Sequence, residues 1–92
     1  MAGNSSHLSA LKARAQLLNP LLRVGKAGLS EAFLKQMESA FLHHDLIKIK
    51  FDSHQEEIKR LAPELAEKTN SQLIHRVGHT ATYHRPGPAQ AS

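Results

Sequence analysis

Residues 46 to 51 read LIKIKF. In an extended strand Ile47, Ile49 and Phe51 point one way, and Lys48 and Lys50 point the other. That alternation describes a strand with one buried face and one wet, basic face. It constrains the fold more than any other segment, because the flanking chain must supply the cover for the apolar side.

The flanks carry helical stripes. Leu8, Leu11, Ala15 and Leu18 recur at helical spacing, and Ser6 is placed to cap a helix running to about Leu18. Lys12, Arg14 and Gln16 lie largely off that stripe, and Asn19-Pro20 stops it. Leu21 to Val24 reads as a short strand. Ser30 is an N-cap for a second helix, with Leu29 and Leu34 as a hydrophobic staple and Glu31 at the positive end of the dipole. Phe33, Met37, Phe41 and Leu42 carry this helix to about His44, and their stripe reads as a core face rather than a partner surface.

After LIKIKF, Ser53 and Glu56 have the spacing of a capping box. Ile58, Leu61, Ala62, Leu65 and Ala66 form the stripe of a third helix, in which Pro63 is expected to introduce a kink or a break. Asn70 suits a left-handed C-cap. QLIHRV (72–77) and TATYHR (80–85) flank Gly78-His79, a two-residue hairpin signal.

The order is helix, strand, helix, strand, helix, strand, strand. Two strand–helix–strand crossovers imply parallel neighbours, and the hairpin adds an antiparallel pair. The predicted fold is α+β: a four-stranded mixed sheet packed with three helices. Residues 1–5 are expected to be a flexible start, 6–86 a single domain, and 87–92 a disordered tail. Arg23 and Arg76 are expected to join Lys48 and Lys50 on the polar sheet face.

A chain of 92 residues fits one domain. It has no cysteine, which excludes a disulfide framework and a thiolate metal site. No stretch is apolar for long enough to be a signal peptide or a membrane span, so a cytoplasmic protein is expected. The 12 Lys and Arg outnumber the 8 Asp and Glu, and they are segregated. Residues 1–30 and 68–92 hold no acid; all the carboxylates lie between Glu31 and Glu67. If the fold joins the two ends, one face becomes positive and attracts polyanions, nucleic acid first among them.

Between the first strand and the second helix lies Gly25-Lys26-Ala27-Gly28-Leu29. Glycines there permit a tight turn and a close backbone approach. The amides at the following helix start and the Lys26 ammonium make an anion site. The chemistry parallels the GXXG loop of KH domains, which clamps nucleic-acid backbone, although here the loop joins a strand to a helix. The spacing is neither a Walker A loop nor a dinucleotide fingerprint, and a purely structural turn is the competing reading.

Three features together resemble the CRM-domain family, named for chloroplast RNA splicing and ribosome maturation, and within it the short bacterial YhbY-like branch. They are Gly25-Lys26-Ala27-Gly28-Leu29-Ser30, the entry His44-Asp45-Leu46-Ile47-Lys48, and the ending Val77-Gly78 with Tyr83-His84-Arg85-Pro86. The likeness spans about residues 8–86. It implies an RNA-binding domain with a fold similar to the C-terminal domain of bacterial translation initiation factor three. It also implies association with precursors of the large ribosomal subunit, and RNA contact through the GxxG loop. The chain departs from the family at Pro63, in a helix that usually runs through, and at Asn70, often glycine. It also departs at His79, often a basic residue, and at Ala81 and Thr82, which make the last strand less apolar.

Seven histidines raise the question of a metal. Zinc needs three or four converging ligands, and neither His43-His44 nor His75, His79 and His84 has a spacing that provides them, so no metal and no cofactor is expected. His43 and His44 suit a helix C-terminus. No catalytic set or nucleophile motif is present. Tyr83, the only tyrosine, is either a stacking platform or a half-buried strand residue. The sequence therefore predicts a non-enzymatic RNA-binding module of ribosome biogenesis, with no membrane and no small-molecule substrate. Its contact residues are Arg23, Gly25, Lys26, Ala27, Gly28, Leu29, Lys48, Lys50, Arg76 and Arg85. A module docking its basic face on an acidic protein is the alternative.

Overall fold

The computed structural model describes residues 2–85, with side chains from Leu8 onward. The tail expected at 87–92, and Pro86 before it, lie outside the described residues. The elements are α1 (Ala2–Leu17), β1 (Leu22–Val24), α2 (Glu31–Phe41), β2 (Leu46–Phe51), a 3-10 turn (Gln55–Glu57), α3 (Ile58–Lys68), β3 (Gln72–Val77) and β4 (Thr80–His84). The predicted order and type of every element hold, and the class is α+β. α1 begins at Ala2, so the chain is helical before Ser6, where the cap was expected.

The sheet order is β1-β2-β4-β3. β1 runs parallel to β2, as the first crossover requires. The second crossover does not make β3 a neighbour of β2. The hairpin at Gly78-His79 folds β4 back between them, antiparallel to both. Gly78 takes φ +57 at the first central position of the turn, a conformation that suits glycine.

Register assigns the faces. Val24, Ile47, Ile49, Phe51, Ala81 and Tyr83 share one face and pack with Phe33, Met37 and Phe41 of α2 and Ile58, Leu61, Ala62 and Leu65 of α3. Leu46 breaks the simple wet-face reading of β2: it is buried on the opposite face with Leu11 of α1 and Ile74 of β3. α1 thus covers one end of the second face and leaves the remainder open.

Helix ends follow the local chemistry. The Ser30 hydroxyl accepts the Phe33 amide at 3.1 Å. α2 stops at Phe41, three residues before the expected end. α3 closes in a Schellman motif: Ser71 N–H donates to the Ala66 carbonyl and Asn70 N–H to the Glu67 carbonyl, with Asn70 at φ +51. Asparagine adopts here the left-handed conformation for which glycine is the usual choice.

One expectation for α3 fails, and of the kink or break expected at Pro63 the break is absent. Ser53 and Glu56 form no capping box; the chain instead enters α3 through the 3-10 turn, with His54 left-handed at φ 59, ψ 31. Nor does Pro63 divide the helix, which is continuous from Ile58 to Lys68. Pro63 and Lys59 are both exposed, so the Lys59 carbonyl that lacks an amide partner faces water.

Tyr83 is fully buried, and its hydroxyl donates to the Ala62 carbonyl at 2.8 Å. Burial pushes its phenol well above the ordinary value, so it remains a donor. The choice left open by the sequence is settled: Tyr83 is a core residue tying β4 to α3, not a surface for a base.

Ion pairs fasten the two ends of the chain to its middle. Arg14 of α1 forms a forked pair with Asp45 at 3.2 and 2.9 Å, and His84 Nε2 lies 3.6 Å from the same carboxylate. The Arg14 hydrogen bonds hold the Asp45 carboxyl below its usual range. The stabilisation is therefore complete above the ordinary Asp value of about 3.9 and is lost as pH falls through the lower folded value. Both partners are partly exposed, so the pair is expected to contribute about 0.5–1 kcal/mol. Urea melts of wild type and Asp45→Asn at pH 6 and pH 2 check this: the stability gap seen at pH 6 should close at pH 2.

Candidate functional site

The glycine loop follows from one turn and one helix cap. Gly28 N–H donates to the Gly25 carbonyl at 3.0 Å, closing a β-turn with Lys26 and Ala27 at its exposed tip. Gly28 sits at φ +69, which a side chain rarely adopts, whereas Gly25 has neither a positive φ nor a close neighbour. Glycine is thus demanded by the backbone at only one of the two positions. The Gly28 amide is spent inside the turn and is not available to a ligand. Among the described residues the amides of Ala27 and Leu29 have no carbonyl partner. They lie just before the N-terminus of α2, where the helix dipole is positive.

A second loop braces the first. The Val24 carbonyl accepts the amides of Asp52 and Ser53 at 3.0 and 3.1 Å, so the chain leaving β2 runs beside the chain leaving β1. His54 then reaches across. Its Nε2 is 2.8 Å from the Lys26 carbonyl and its Nδ1 is 3.3 Å from a Glu57 carboxylate oxygen. A Cβ on Gly28 would lie 3.6 Å from the same ring. Nothing in the sequence flagged His54, because it is 28 residues from its partner and lies on no periodic face.

The polar sheet face lies next to this loop. Arg23 pairs in register with Lys50, Lys50 with Thr80, and Thr80 with Val77. Lys48 pairs with Thr82, which pairs with His75. Arg23, Lys48 and Lys50 therefore share one face, as predicted. Arg76 does not join them. A register shift between Leu73 and His75 inserts one residue in β3, so Arg76 falls opposite Ala81, on the other face. His75 and Val77 instead take the face that uninterrupted alternation from Leu73 would have given to Arg76.

Two of the arginines of the predicted surface are paired, whereas Arg76 forms no ion pair among the described residues. Arg23 pairs with Asp52 at 3.2 Å. Arg85 is held by Glu38 through two bonds of 3.0 and 2.6 Å, donates to the Thr69 carbonyl at 2.7 Å, and lies 4.3 Å over the Phe41 ring. It belongs to the packing between α2, α3 and β4, and the structure separates it from the proposed contact surface. Lys26, Lys48 and Lys50 form no ion pair among the described residues. Lysines thus carry the unpaired charge beside the loop, while Arg23 and Arg85, whose planar forks suit bidentate pairing, are engaged within the fold.

A cleft of about 370 Å3 lies between the loop and α3, lined in part by Gly28, Leu29, His54, Arg60, Leu61 and Lys68. Arg60 in this cleft is committed to Glu57 and, at 3.6 Å, to Glu64. Of the carboxylates around the loop, Asp52 and Glu57 are each engaged by a cation or a ring nitrogen, whereas Glu31 at the start of α2 forms no ion pair among the described residues.

The chain has recognisable relatives. Residues 4–85 match the CRS1 / YhbY (CRM) domain. An "RNA-binding protein" of Haemophilus influenzae is 35% identical over 77 residues, covering 83% of this chain and 78% of its own. The "Probable RNA-binding protein YqeI" of Bacillus subtilis is 32% identical over 76 residues, covering 82% and 79%. The solution structure of the SAV1595 protein of Staphylococcus aureus superposes with a TM-score of 0.75 at 27% identity, covering 87% of this chain and 84% of that one. A domain match along nearly the whole described chain, with the glycine turn and the mixed sheet both in place, makes this chain a member of the CRS1/YhbY (CRM) domain family.

Proposed function

We propose that this protein is a non-enzymatic RNA-binding module that grips the ribose-phosphate backbone. The observation that carries the reading is the turn Gly25–Gly28. It presents the Lys26 ammonium and the amides of Ala27 and Leu29 at the mouth of α2, beside a sheet face bearing the unpaired Lys48 and Lys50. A phosphate at the tip would meet one full charge, donors without carbonyl partners and a helix dipole. Lys48 and Lys50 extend the same potential along a backbone path, with Arg23 contributing when it leaves Asp52. Arg76 and Arg85 are secondary to this surface, the first on the opposite face and the second locked in the fold.

Relatives named as RNA-binding proteins support the same class of ligand. The scarcity of aromatic side chains, with Tyr83 buried, favours recognition of backbone and shape over base stacking. The finer reading is that the RNA is ribosomal, in precursors of the large subunit, where the protein aids assembly in the cytoplasm. It rests on the family resemblance. Among the described residues no helix is long and apolar enough to cross a membrane.

The test is RNA affinity as a function of salt for wild type and Lys26→Glu. Removal of one phosphate contact should lower the slope of log affinity against log salt by about one unit. An unchanged slope in a folded variant would remove the loop from the interface. Crosslinking in cells followed by sequencing of the attached RNA decides the ribosomal assignment, and particles recovered with and without nuclease separate RNA-bridged association from a direct protein contact.

A further inference from the structure

Among the described residues, His54 is the one side chain that touches the glycine loop from outside it through a polar contact. It occupies a left-handed backbone conformation that a non-glycine residue adopts at a cost. Its two ring nitrogens face two acceptors. A carbonyl can only accept, so the 2.8 Å contact requires a proton on Nε2. Glu57, ionised and bonded to Arg60, is likewise an acceptor, so the 3.3 Å contact is satisfied only with a proton on Nδ1. A neutral ring would satisfy one contact and set a lone pair against a carbonyl or a carboxylate at the other. Only an imidazolium satisfies both contacts at once.

We propose that His54 is the positioning residue of the glycine loop, and that its protonated ring both ties down Lys26 and sets a second positive charge behind the phosphate site, so that RNA is held more tightly in acid than in alkaline solution. The RNA part of this proposal rests on the RNA-binding reading above; the positioning part does not.

The charged groups around the ring agree with it. The Lys26 carbonyl from the loop and the Glu57 carboxylate at the head of α3 hold the ring above the ordinary histidine value, against Arg60 and partial desolvation. Glu64 and Lys68 line the same cleft farther along α3, and Arg60 faces Glu64. The sign follows. With the folded value raised, the tie is complete below the ordinary histidine value of about 6.5 and is lost as pH rises through the higher folded value.

The experiment uses the full chain. Backbone amide resonances of Ala27 and Gly28 are followed by NMR from pH 5 to 9 without RNA, in wild type, His54→Asn and Glu57→Gln. Asparagine tolerates the left-handed conformation but carries no titrating charge, so it keeps the backbone and removes the switch. The loop amides of wild type should titrate with the His54 ring. That inflection should vanish in His54→Asn and move to lower pH in Glu57→Gln. In parallel, binding of a single-stranded oligouridine is measured at pH 6 and pH 8.5. Wild type should bind at least threefold more tightly at pH 6, and His54→Asn should lose most of that ratio.

Loop amides that titrate identically in wild type and both variants overturn the proposal. So does a pH ratio that survives unchanged in His54→Asn, since other histidines would then account for it. If the loop titrates as expected but wild type binds no oligouridine or other RNA at either pH, the positioning role stands and the RNA-binding reading fails.

Discussion

Truncating Tyr83 to alanine is expected to lower folding stability by about 3–5 kcal/mol, the range for loss of a large buried aromatic. Tyr83 is fully buried in the main core, at the position of β4 that faces both β2 and β3, and it reaches Ala62 of α3 through its hydroxyl. Removing it opens a cavity where sheet and helix meet. A domain of this size has roughly 5–13 kcal/mol in total, so the variant should be close to the edge of folding at room temperature. Tyr83→Phe separates the two contributions. It keeps the ring and deletes the hydrogen bond, and should cost about 1 kcal/mol. Urea unfolding checks both: the midpoint should fall in that order with little change in slope. A Tyr83→Ala variant as stable as wild type would contradict the packing described for β4.

Reversing both sheet lysines, Lys48→Glu with Lys50→Glu, is expected to weaken RNA binding by roughly 25-fold or more at 0.1 M salt. The figure follows from the release of about 0.7 counterion per phosphate contact on a single strand, for two contacts. Lys48 and Lys50 are half-buried on the open sheet face and hold no carboxylate partner among the described residues, so their loss should leave the fold intact. The salt slope should fall by about 1.4 units while the urea midpoint changes little. Arg85→Gln is the contrasting variant. It breaks the forked pair with Glu38 and the contact over Phe41, and should reduce stability more than it alters the salt slope. Equal effects of the two variants on RNA binding would argue against a division of labour between lysines and arginines.

Much of this architecture was legible in the linear pattern. The alternation of residues 46–51, the Ser30 cap, the left-handed Asn70 and the Gly78-His79 turn each depend on residues within four or five positions of one another, and local rules govern such distances. The glycine loop was legible for the same reason. Besides the local Ser53–Glu56 capping box and the Ser6 cap, what failed were features set by long-range pairing. Insertion of β4 between β2 and β3 depends on which strand edge remains free once β1 and α2 are in place. The irregularity at Leu73 to His75 lets Leu73 face the main core while Ile74 turns beneath α1, and its consequence for Arg76 has no counterpart in the periodicity of QLIHRV.

The charge distribution divides in the same way. Segregation of acids into the middle of the chain was visible, and it led to an expectation of a basic face built from both ends. Folding instead carried Arg14, Arg23 and Arg85 onto Asp45, Asp52 and Glu38. The sequence by itself determined the elements, their order and the turn that offers an ammonium and unpaired amides to an anion, because these are short-range consequences of side-chain shape and backbone preference. Only the tertiary structure decided which cations stay unpaired and that His54 stands behind the loop, because charge pairing and a contact across 28 residues depend on where the chain is brought together in space.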